Sequence, residues 1–183
     1  MEKDYKKLIP IARDSIKGVL KKKDPEISDE IKSEFSEKQG AFVTLKKYGH
    51  LRGCIGYIEP IMPLWKTISN AAVAAAFKDI RFPPLKESEL NEIRIELSIL
   101  TVPKLIEVND PNEYFQKIKL GRDGLIIKHP MGEGVLLPQV PEEWGWTLDE
   151  YLMNLCHKAG LPSYAWRDKE TKIYSFQAII VEE

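Results

Sequence analysis

Cysteine and histidine are scarce in this chain: only Cys54 and Cys156 carry thiols, and the three histidines are scattered as His50, His129 and His157. The spacing excludes a CxxC redox pair and offers no zinc-type ligand cluster, so metal catalysis ranks behind every other reading. So few thiols fit a reduced, cytoplasmic protein. An excess of one charge is also lacking. The 27 Lys and Arg against 28 Asp and Glu leave a net charge of -1 and a pI near 6.4, which announces no polyanion-binding surface and argues against nucleic acid as a partner. Long apolar runs are missing too. The first residues, MEKDYKKLIPIARDSIKGVLKKK, are broken by charge throughout and read as neither signal peptide nor membrane span, and the basic run at 21–23 is too short for a membrane role. What remains is ample for a core: 183 residues at 43% hydrophobic content suit one domain, with room for two lobes.

The unusual chemistry gathers in Leu51-Arg52-Gly53-Cys54-Ile55-Gly56, a cation, a thiol and two glycines inside a strand-like stretch. Its neighbour, residues 40–47, is β-branched and aromatic, and Tyr48-Gly49 supplies a turn. A two-residue hairpin loop there pairs Lys47 with His50, Leu45 with Arg52 and Val43 with Cys54. Alternation then places His50, Arg52 and Cys54 on one face and Leu51, Gly53 and Ile55 on the other. An arginine about 7 Å from a thiol along a strand has the reach to lower its pKa, which makes Cys54 a candidate nucleophile and Arg52 its activator. Glycine weakens a strand, so Gly53 and Gly56 mark a bulge or a close approach by backbone or ligand. The competing reading makes Cys54 one more small buried hydrophobe and Gly53 the room for a packed helix.

Along the rest of the chain, Leu8, Ala12, Ser15, Ile16, Val19 and Leu20 form a helical stripe that either begins near Pro10 or kinks there. Residues 21–39 read as a solvated connection with a helical turn near Ile31. Pro63 suits the first turn of a helix through Leu64, Ile68, Ala71, Ala72, Ala75 and Ala76, whose alanines imply close packing. Then Arg81-Phe82-Pro83-Pro84 holds the backbone extended, and Arg81 either clamps an anion or pairs with Asp79 or Glu87. Residues 93–100 alternate as a half-buried strand, and Asp110 with Glu113 caps a short helix. Residues 120–129 and 132–137 form a meander whose glycine spacing matches no phosphate loop. Trp144-Gly145-Trp146 either lines a pocket or lids the core. Thr147 and Glu150 make a capping box for a helix that carries Cys156 on its apolar stripe and turns His157 off it, and residues 172–181 read as one closing strand. Strands at both ends with helices between them define an α+β class, an antiparallel sheet flanked by helices.

The segments GAFVTL, LRGCIG, RFPPL, LLPQVP and WGW, spread over nearly the whole chain, resemble the AMMECR family, called AmmeMemoRadiSam system protein A in prokaryotes. Ile80 stands where the family has proline before Arg81, and Thr147 where it has aspartate after the second tryptophan. The resemblance implies two unequal lobes with a cleft between them. We expect a large lobe of about residues 1–101 plus 141–183 and a small one of about 102–140. It also implies Memo-type and radical-SAM-type proteins as partners; it names no cofactor and no reaction.

Two functions of different classes follow. One is an enzyme or enzyme component acting on a small molecule through a Cys54 thiolate with Arg52, the substrate held by Arg81, Gly53, Gly56 and Trp146. The other is a non-catalytic adaptor for one of those partners, with LRGCIG as tight packing or a docking surface. No base and orienter can be assembled around Cys54 except His50 in the turn.

Overall fold

The computed structural model describes residues 3–183. In chain order its principal elements are α1 Ile9–Lys21, α2 Asp29–Glu34, β1 Ala41–Lys47, β2 His50–Tyr57, α3 Leu64–Phe77, β3 Ile93–Leu100, β4 Lys104–Leu105, α4 Tyr114–Lys117, β5 Gly124–His129, β6 Gly132–Leu136, α5 Val140–Trp144, α6 Leu148–Lys158, β7 Lys172–Phe176 and β8 Ala178–Glu182. Helices with two antiparallel four-stranded sheets confirm the α+β class. The chain divides into two unequal compact units, Met1–Leu100 with Ile179–Glu183, and Thr101–Ala178.

In the first unit the strand order is β2-β1-β3-β8. Helix α1 starts at Ile9 with Pro10 in its first turn, where the missing N–H costs no bond, so the proline opens the helix instead of kinking it. Its buried residues Ile9, Ile11, Ala12, Ser15 and Ile16 face α3, whose alanines let the two helices and the sheet approach closely. The inward side of the sheet is apolar: Ala41, Val43, Leu45, Ile95, Leu97 and Ile99 are fully buried. Strand β3 departs from the half-buried expectation, because Ser98 and Leu100 are buried as well and its second half is covered on both faces.

The second unit is larger than the sequence suggests. Its sheet, β4-β7-β5-β6, draws β7 from residues 172–176, and β7 pairs with β5 from Gly124↔Phe176 to Lys128↔Lys172. Helix α6 carries Leu152, Leu155 and Cys156 into one core with Leu125, Ile127, Trp166 and Ile173. Residues 141–178 therefore belong with the middle segment and not with the termini. The single closing strand of the sequence reading is two strands in two sheets, broken at Gln177, whose N–H donates to Thr101 Oγ1 (2.8 Å) while its carbonyl accepts from Thr101 N–H (2.8 Å). The two capping boxes, Asp110 with Glu113 and Thr147 with Glu150, form as expected.

Candidate functional site around Cys54

The hairpin between β1 and β2 begins in the expected register, with Lys47 opposite His50 and a two-residue turn made by Tyr48 (φ 51°) and Gly49 (φ 80°). Left-handed backbone at both positions matches the twist of the strands. One pair further the register shifts. Lys46 faces Leu51, yet Leu45 faces Gly53, Thr44 faces Cys54 and Val43 faces Ile55, so Arg52 is the extra residue of a β-bulge. Every partner expected for Arg52 and Cys54 is therefore displaced by one. Gly53 and Ile55 lie on the buried side with Leu45 and Val43, and Cys54 lies on the opposite side with Thr44.

The bulge separates the supposed nucleophile from its supposed activator. Arg52, 9% exposed, donates from Nε and Nη2 to the two carboxylate oxygens of Glu89, each at 3.0 Å. Glu89 also accepts from Lys47 Nζ (3.1 Å) and the Lys86 N–H (3.0 Å). The Arg52 bond outweighs the desolvation of Glu89 and holds its carboxyl at about 2. Arg52 is committed to an ion pair within the fold and does not face the Cys54 thiol. Both glycines of the motif are filled by the chain's own atoms: a Cβ at Gly53 would collide with the Ala75 carbonyl oxygen on α3, and one at Gly56 with the Phe42 ring. Helix packing fills the space at Gly53, as the competing reading expects, and the Phe42 ring with the Ala41 carbonyl fills it at Gly56, so neither position is left open to a substrate.

Arg81 reaches Cys54 instead. Asp79 follows α3 directly and is buried, with 3% of its side chain exposed. Its Oδ2 accepts from the Cys54 N–H (2.9 Å) and from Arg81 Nη2 (2.8 Å), and its Oδ1 from Arg81 Nε (2.9 Å) and the Arg81 N–H (3.2 Å). The Arg81 bond, joined by the two backbone donors, overrides burial and holds this carboxyl well below the usual carboxylate range. Arg81 Nη2 also donates to the Cys54 carbonyl (3.3 Å), and its guanidinium sits over the Phe82 ring at 5.6 Å. Its side chain is 54% exposed. The Thr44 hydroxyl donates to Cys54 Sγ at 3.3 Å. The result is a half-buried thiol and a half-exposed guanidinium tied to one carboxylate.

Other named residues lie elsewhere in the chain's organisation. Trp146 belongs to the second unit, where it packs partly buried against that unit's core and stacks on Trp144. Cys156 is fully buried, and burial pushes its thiol up. His157 is exposed and shares a hydrogen bond with Ser163 Oγ (2.8 Å). Among the described residues no group of three or more His, Cys, Asp and Glu is placed to hold a metal ion. Sequence reasoning found Asp79 only as a pairing candidate for Arg81 and missed its bond to the Cys54 amide. An available signal was its place: a carboxylate just past a helix C-terminus opposes the helix dipole and needs cationic or N–H partners.

An antiparallel bulged hairpin carrying the thiol, closed by α3 and an aspartate-arginine loop, defines the class. The AMMECR1 family model matches residues 9–181, and this chain belongs to that family. It is 56% identical over 151 residues to Protein MJ0810 of Methanocaldococcus jannaschii, covering 81% of this chain and 75% of the relative. It is 48% identical over 177 residues to Protein NEQ441 of Nanoarchaeum equitans, covering 96% and 98%. The crystal structure of uncharacterized protein PH0010 from Pyrococcus horikoshii is similar at a TM-score of 0.86 and 47% identity, over 96% of this chain and 89% of that one.

Proposed function

We propose that this chain is an enzyme or enzyme component that acts on a small anionic molecule, with the Cys54 thiol as the reacting group and Arg81 as the anion contact. The observation that supports this most is the buried Asp79 carboxylate, which fixes the Cys54 amide and the Arg81 guanidinium together. A guanidinium anchored on one edge and 54% exposed keeps donors for a carboxylate or phosphate. The Thr44 hydroxyl donates to the sulfur and the Arg81 guanidinium to the carbonyl of the same residue, so the thiol and the anion contact are held side by side. Arg52 has no direct part in this reading; it acts from behind, holding the bulge to Glu89. A cytoplasmic location belongs to the proposal, and among the described residues no helix is long and apolar enough to cross a membrane.

The test uses the second cysteine as an internal control. At pH 7, iodoacetamide should label Cys54 much faster than Cys156, which is 0% exposed and carries a raised pKa. Arg81→Ala should slow Cys54 labelling at that pH, while Arg52→Ala should leave its rate unchanged. Equal, slow labelling of both thiols would remove the nucleophile from the proposal. The second reading, a non-catalytic adaptor, is favoured by one observation, the 70% exposure of Trp144. On the family resemblance alone, its proposed partners are the Memo-type and radical-SAM-type proteins.

A further inference from the structure

We propose that the Trp144–Trp146 face of the second unit is a docking surface for a cationic, arginine- or lysine-bearing segment of a partner protein. The surface is built from its own residues and uses nothing from the Cys54 group. Gly145 ends α5 in the left-handed region (φ 65°), and the Trp146 N–H returns to the Pro141 carbonyl at 2.8 Å. That reversal brings the two indoles into a stack, centroids 6.2 Å apart and planes 20° from parallel. Trp146 is wedged against the core of its unit, so the stack rests on a fixed platform. Trp144 lies over it with 70% of its surface in water. Tryptophan is enriched among binding anchors, because it brings large area at little entropic cost.

Charge identifies the occupant. The chain as a whole is balanced, 27 basic residues against 28 acidic, yet residues 129–157 contain no Lys or Arg and carry Glu133, Glu142, Glu143, Asp149 and Glu150. Glu142 and Glu143 are exposed on α5 in the turn that presents Trp144. Glu150 is engaged by the Thr147 N–H and hydroxyl (2.8 and 2.9 Å) and is exposed. An indole face attracts a guanidinium or ammonium, and neighbouring carboxylates complete the complementarity. The same carboxylates repel a phosphate backbone or an anionic lipid surface.

The test is fluorescence anisotropy of a dye-labelled, end-capped octapeptide of alternating arginine and glycine, titrated with the full chain at low salt. The matching glutamate peptide is the control. The arginine peptide should bind, weaken as salt is raised, and lose about tenfold in affinity with Trp144→Ala, between the size of an exposed and a desolvated cation–π contact. Trp144→Phe should recover part of that loss, and Glu142→Gln with Glu143→Gln should weaken binding with the tryptophan intact. Circular dichroism confirms that each variant is folded. Three results would overturn the proposal: no binding by the unaltered protein, equal binding to Trp144→Ala, or equal affinity for the glutamate peptide. Self-association seen by sedimentation and abolished by Trp144→Ala would overturn it in favour of a second copy of this chain.

Discussion

Replacing Glu89 by glutamine tests whether Arg52 belongs to the fold or to a reaction. The variant keeps the size and polarity of the side chain and removes the charge that both Arg52 bonds use. Glu89 falls from an ordinary 4.5 to about 2 in the folded protein, and that shift corresponds to about 3 kcal/mol by linkage. The partners are 11% and 13% exposed in their side chains, so solvent screening trims this to about 2 kcal/mol. The loss should be no smaller, because Arg52 Nη1 is already buried without a hydrogen-bond partner and the remaining guanidinium would stay buried and unpaired. The sign with pH follows from a depressed acid. Its stabilisation is fully present above the unfolded value and disappears as pH falls toward the folded one. More than half of it should be gone by about pH 3, nearly all of that below about pH 5. Urea unfolding at pH 7, 5 and 3 reads this directly. Glu89→Gln should be less stable by about 2 kcal/mol at pH 7, with the gap to the unaltered protein narrowing at pH 3. A gap under about 0.5 kcal/mol, the size of an ordinary surface change, would refute the structural assignment. So would a gap that does not change with pH.

Gly53→Ala should destabilise by about 3 kcal/mol or more in thermal unfolding, because the atom it meets is the backbone carbonyl of Ala75 and cannot turn aside. Gly56→Ala should likewise destabilise by about 3 kcal/mol, because the added Cβ meets the Ala41 carbonyl oxygen as well as the base of the Phe42 ring. Thr147→Ala removes one half of the α6 capping box and should cost about 1 kcal/mol with no effect on Cys54 labelling.

Much of the frame was legible where a local pattern had a single physical meaning. Pro63 marked a helix start, Thr147 and Glu150 a capped one, and the Tyr48-Gly49 turn set the first pair of the hairpin, while Pro10 left a start and a kink both open until the structure put it in the first turn. The bulge at Arg52 was not legible. A period-2 reading carries no sign of an inserted residue, and one insertion sends every later side chain to the other face. The partition of the units failed for a related reason. Residues 172–181 show one unbroken strand pattern, and the switch between sheets at Gln177 depends on a partner, Thr101, that is distant in the sequence.

The bulge also changes which arginine matters, and the reason is topological. In an unbulged hairpin Arg52 and Cys54 would share a face, and Cys54 would stand opposite Val43 in a hydrogen-bonded pair, its N–H spent on β1. With Arg52 looped out, its side chain turns inward to Glu89 and the Cys54 N–H is left for Asp79 at 2.9 Å. That amide is at the sheet edge, since among the described residues β2 stands first in the order β2-β1-β3-β8. An edge N–H needs a partner other than a strand, and a carboxylate from the loop after α3 provides it. The same carboxylate then brings Arg81 to the edge. Arg52 and Arg81 thus take opposite roles through one inserted residue: the first is locked inside against Glu89, and the second stands half in solvent beside the thiol.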